Sequence, residues 1–150
     1  MPEEETIERA REDEREGKSP STQAGEFVRE EMEHIREGKH GARSTKQAIA
    51  IGLSKARRVG VRLPPPKKGA ASKETRRKAK RELKKGAKSK TKAPSRTRSR
   101  AITKALKREG RSAASKKALS RQARSAASKR TKAQRSAAAK KAARTRTKKR

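Results

Sequence analysis

The sequence predicts a chain that is mostly disordered around a small all-α segment: a helical hairpin followed by a polycationic low-complexity tail. Three observations predict this. The 150 residues are 27% hydrophobic and 43% charged, with Phe27 as the one aromatic side chain and no cysteine. Such a composition buries too little apolar surface to offset the entropy lost on folding. The formal net charge of +32 lies wholly behind residue 66: residues 1–66 hold 13 basic and 13 acidic side chains, and residues 67–150 hold 35 Lys/Arg against Glu74, Glu82 and Glu109. Amphipathic periodicity is confined to residues 24–60.

Taken in order, residues 1–20 read as an acidic, charged segment, a fraying helix or disordered. Ile7 and Ala10 are its only apolar residues behind Met1 and Pro2, too little to bury, and GKSPST at 17–22 breaks it. Residues 21–63 read as the α-helical hairpin. In its first helix Ala24, Val28, Met32 and Ile35 recur at i, i+4, i+8, i+11 with Phe27 beside them, while Arg29, Glu30, Glu33 and Arg36 face away. Gly38 suits the position that closes it.

The second helix starts at Ser44, followed three residues later by Gln47 in the spacing of a capping box. Ile49, Leu53 and Ala56 form its stripe, and Lys55, Arg57 and Arg58 suit the negative end of the dipole before Gly60. A 40-residue hairpin with about ten sizeable apolar side chains lies below the usual size of a self-sufficient core. Its missing burial is expected from a homodimer or a protein partner, or else the hairpin is a marginal monomer.

Residues 64–69 read as a Pro-rich linker, since PPP stops the helix and sets a stiff extended spacer. Residues 70–150 read as a disordered basic tail of Lys, Arg, Ala and Ser. RSAAS at 111–115 recurs at 124–128, and RSAAA follows at 135–139; the spacing is irregular, so no solenoid is implied. Ala, Lys and Arg favour helix, but like-charge repulsion opposes it until phosphates neutralise the chain. Helix is therefore expected in the tail only on DNA.

The tail carries the strongest functional signal. Duplex DNA presents one charge per ~1.7 Å, so 32 positive charges match roughly 16 base pairs, and about 10 engaged phosphates give a log–log salt slope near −9. The candidate contacts begin with Arg76, Arg77, Lys78, Lys80, Arg81, Lys84 and Lys85. They continue with Arg96, Arg98, Arg100, Lys116, Lys117, Lys129 and Arg130, and end with Lys140, Lys141, Arg144, Arg146, Lys148, Lys149 and Arg150. Base-specific reading needs side chains on a rigid element, which a disordered tail lacks. Single-strand platforms need aromatic stacking, and residues 67–150 contain no Phe, Tyr, Trp or His. Duplex DNA is favoured, with RNA open.

A second candidate is a phosphate contact at the predicted start of the second helix, formed by Lys39, Arg43, Ser44 and Lys46. Its alternative is an ordinary capped turn, and the P-loop order is absent. His34 and His40 read as plain polar residues, with no metal site, because metal binding needs more convergent ligands. No nucleophile constellation, cofactor motif or small-molecule site is apparent, so no enzyme is expected. With neither a signal peptide nor an apolar span, the expected location is cytoplasmic, associated with the nucleoid.

The string HGARSTKQAIAIGLSKAR, within residues 17–69, resembles the core of a family of small bacterial proteins of unknown function. The resemblance implies a bacterial source and no activity. The tail is similar in composition to histone-like Lys/Ala-rich tails. The expected function is sequence-independent binding of duplex DNA, nucleoid-associated and histone-like. The alternatives are a protein-interaction adapter acting through the hairpin, or an RNA- or ribosome-associated factor.

Overall fold

The computed structural model describes residues 1–87 and 95–148. Over them run α1 (Glu4–Arg15), α2 (Pro20–Glu37), α3 (Thr45–Arg58), α4 (Lys73–Gly86) and α5 (Arg96–Lys107). A short 3-10 turn (Ser112–Ala114), α6 (Lys116–Ser128) and α7 (Lys132–Lys148) follow. The expectation of a mostly disordered chain is thereby overturned. The basic region is helical without a polyanion, because its alanine and lysine propensity is reinforced by local caps. Ser72 Oγ accepts from the Thr75 N–H at the start of α4. At α7, Thr131 Oγ1 accepts from the Gln134 N–H and Gln134 Oε1 accepts from the Thr131 N–H, a reciprocal capping box.

The chain divides into two compact units, Met1–Ser115 and Lys116–Arg150. In the first, α2 and α3 form the hairpin, closed by Gly38 at φ 80° and opened again by Ser44, whose Oγ accepts from the Gln47 N–H. The core is built from small residues in place of aromatics: Ala24, Phe27 and Ala56 are buried with Ala10 of α1, and Ile7, Leu53, Val61 and Leu63 pack on them. Alanine and glycine let helices approach closely. A Cβ on Gly52 would sit 2.7 Å from the Val28 Cα and 2.9 Å from the Phe27 carbonyl oxygen, so only glycine fits this crossing without movement. Close packing of backbone against backbone replaces the area that larger side chains supply elsewhere.

The segment α1 is docked rather than fraying. Thr6, Ala10 and Asp13, at i, i+4, i+7, are buried against α2. Arg9 Nε lies 3.0 Å from Glu26 Oε2, and Lys18 Nζ donates to Asp13 Oδ1 at 2.6 Å. Apolar counting missed this face because two of its three residues are polar. The burial that the hairpin lacks thus comes from its own chain, through α1 and residues 61–63. The proline stretch is strapped down as well: Arg57, 6% exposed, donates to the Leu63 and Pro64 carbonyls, and Arg76 Nε donates to the Pro66 carbonyl. Burial pulls the Arg57 pKa down, with Glu82 opposing.

The second unit is different in kind. In α6 no residue is buried, and in α7 every residue with a described side chain is exposed.

Candidate nucleic-acid interface

At 100° per residue, α4 sorts its side chains by charge. Ala79, Glu82, Leu83 and Gly86, at i, i+3, i+4, i+7, form one stripe, and α4 packs on α3. Ala79 and Glu82 are buried there. The Glu82 carboxylate accepts from Ser54 Oγ and from Arg58 Nη2 at 3.2 Å, fastening the two helices. At their ends the backbones touch, since any Cβ on Gly86 would overlap the Arg57 carbonyl oxygen. Arg77, Lys78, Lys80, Arg81, Lys84 and Lys85 therefore fall on the opposite arc of roughly 160°. All six are exposed, and none forms an ion pair among the described residues. The tail thus contains a cationic face held in place before any ligand arrives, which corrects the expectation that nothing in it is rigid.

The remaining candidates are placed unevenly. Arg76 is half-buried over the proline stretch. Arg96, Arg98 and Arg100 stand exposed on α5, which buries no residue of its own. Lys116 and Lys117 open α6, Lys129 and Arg130 follow it, and Lys140, Lys141, Arg144 and Arg146 are exposed around α7. Lys148 ends α7, and Lys149 and Arg150 lie outside the described residues.

At the α3 start, Ser44 is spent on the Gln47 N–H, and Gln47 Oε1 in turn accepts from the Arg43 N–H. Lys39 lies 3.1 Å from Glu3 Oε1 and 3.0 Å from Glu37 Oε2, and both carboxylates raise its pKa. Arg43 and Lys46 remain exposed. The end of α5 and the segment behind it cover this loop from within the same unit. The Gly41 N–H donates to the Leu106 carbonyl, the Ala42 N–H to Gly110, and Thr45 Oγ1 to Ala113. Of the four phosphate candidates, the structure leaves the side chains of Arg43 and Lys46 accessible and, among the described residues, without an ion pair.

Between α2 and α3 lies a second group of charges, which outward-facing polarity did not anticipate. Glu30, predicted to face away, is 2% exposed, and Glu31 is fully buried. Lys55 Nζ sits 2.8 Å from an oxygen of each. Burial pulls the Lys55 pKa down, but Glu30 and Glu31 outweigh it and the net shift is upward. Burial pushes the Glu30 carboxyl up, and Lys55 more than reverses it. His34, through Nε2, lies 2.9 Å from Glu3 Oε1, and with Lys39 it holds that carboxyl at about 2. Glu31, His34 and His40 bring one potential ligand atom each to within 4.8 Å of one another. The signal for this group was Glu31-x-x-His34, whose i, i+3 spacing puts both on one helix face.

No helix among the described residues is long and apolar enough to cross a membrane. No curated protein matches the chain, and no solved structure does. Residues 15–68, from the end of α1 through α2 and α3 to the proline stretch, match a family described as a family of unknown function (DUF6496).

Proposed function

We propose that this is a bacterial nucleoid-associated protein that binds duplex DNA without sequence preference and catalyses no reaction. The observation that carries the reading is the docked face of α4, where six exposed cations occupy one side of a helix whose other side is fixed to α3. From Arg77 to Lys85 the helix rises ~12 Å, so the face carries about one charge per 2 Å, close to the duplex's one per ~1.7 Å. Cations held at that density release condensed counterions without first paying to order the chain. The exposed basic residues of α5 add charge within the same unit, and those of α6 and α7 give the second unit cations of its own for a polyanion. Part of the hairpin's apolar surface, at Ala24, Phe27, Leu53 and Ala56, is already covered from within the chain by Ile7 and Ala10 of α1 and by Val61 and Leu63. That favours DNA binding over an adapter role, because charge is what the surface offers.

Titrating the full chain onto mixed-sequence duplex DNA between about 50 and 200 mM salt tests this. A log–log slope steeper than about −6, indifferent to sequence, supports it. A shallow slope, or a marked preference for structured RNA in competition at one salt, overturns it.

A further inference from the structure

We propose that Glu31, His34 and His40 form a structural site for a divalent transition-metal ion of the zinc type. The three residues come from α2 and from the loop that follows Gly38. Both carboxylate oxygens of Glu31 are buried and accept no well-directed hydrogen bond. Lys55 Nζ is 2.8 Å from Oε2, close enough to pair with it but off the direction of a hydrogen bond. The opposite oxygen, Oε1, faces His40 Nε2 at 3.2 Å. Two ligands of a tetrahedral ion, each at ~2.05 Å, lie ~3.3 Å apart. The Glu31–His40 separation is therefore that of two ligands on one metal.

The protons point the same way. His40 Nδ1 lies 3.0 Å from the Gly41 carbonyl oxygen, which only accepts, so Nδ1 carries a proton. That leaves Nε2, on the Glu31 side and 3.2 Å from Oε1 but off the direction of a hydrogen bond to it, as the nitrogen that would ligate. His34 is arranged alike: its Nε2 faces Glu3 Oε1 at 2.9 Å, the carboxylate–histidine pairing that orients a ligating imidazole and frees the other nitrogen. That other nitrogen, Nδ1, lies 3.9 Å from Glu30 Oε1, on the side of the buried acids.

Charge fits as well. Glu3, Glu30, Glu31 and Glu37 contact two ammonium groups, Lys39 and Lys55. Four carboxylates against two ammonium groups leave an acidic surplus at the place where the three ligand atoms converge. The ion's role would be to tie the end of α2 to the loop before α3.

The chain has two histidines and no cysteine, so imidazole nitrogen resonances report on this site alone. Chelator-treated full-length protein titrated with zinc should bind one equivalent, shift both imidazoles together and melt at a higher temperature. His34→Asn and His40→Asn should each abolish that binding, and Glu3→Gln should weaken it about 10- to 100-fold. The proposal is overturned if neither imidazole shifts in the wild type, as for two imidazolium ions paired with Glu3 and Glu31. Binding that survives both histidine substitutions overturns it equally.

Discussion

The helices α4 and α7 are both strongly basic and do different things. Each is an alanine-containing, Lys/Arg-rich helix with a side-chain cap at its start. In α4, Ala79, Glu82, Leu83 and Gly86 recur on one stripe, and that helix packs on α3. In α7 the alanines at 133, 137, 138, 139, 142 and 143 are spread round the helix and remain exposed. The difference teaches that where the few small and apolar residues fall on a helix, and not how many there are, decides whether its cations are oriented. One alanine on a stripe docks α4, and six spread round α7 do not bury it. A docked helix presents all its outward charges to one ligand, and a bare one presents whichever happen to face it. The same lesson is visible in the repeated pentad: RSAAS at 111–115 holds a 3-10 turn with Ala113 and Ala114 buried, whereas at 124–128 it ends α6 with no residue buried.

Breaking the dock should have the largest effect. Gly86→Leu drives a side chain into the Arg57 carbonyl, and overpacking of this severity costs about 3 kcal/mol. The melting temperature of the full chain should fall by roughly 10 °C. DNA affinity at low salt should fall with it, because α4 loses its fixed bearing. Calorimetry and the DNA titration, run on the same preparation, check both halves.

The bare helix should answer weakly to a comparable insult. Thr131→Ala removes the capping hydroxyl of α7 at about 1 kcal/mol of local helix stability. Circular dichroism should lose roughly one turn of helix, while the main unfolding transition stays within about 1 °C, because the described side chains of α7 bury nothing for that transition to report.

Much of this was legible in the residues, and the failures have physical causes. The Ser44–Gln47 cap and the closing Gly38 are seen where their spacing places them. Low hydrophobicity, high charge and scarce aromatics point to disorder, but close backbone approach at Gly52 and Gly86 builds a core that hydropathy does not register. The docked face of α1 is Thr6, Ala10 and Asp13, and a count of large apolar residues cannot find a stripe of small and polar ones. For α4 the i, i+3, i+4, i+7 pattern was present, masked by the lysines and arginines between. The reciprocal Thr131–Gln134 cap was likewise readable. At the buried cluster, the helical period of the apolar stripe puts Glu30 on the outward side, yet Lys55 compensates it from the facing helix, a partner 25 residues away that no local pattern reveals.

The central claim, that DNA is engaged through an oriented face of α4, is tested most directly by matched neutralisation in the full chain. R77Q/R81Q/K84Q/K85Q removes four charges within about 100° of one another on α4, and R135Q/K140Q/K141Q/R146Q removes four distributed on several sides of α7. The salt slope of duplex binding should flatten by about 3 to 4 for the α4 set and by no more than about 2 for the α7 set, with helicity retained in both. Equal flattening, or a larger loss from α7, would contradict the account.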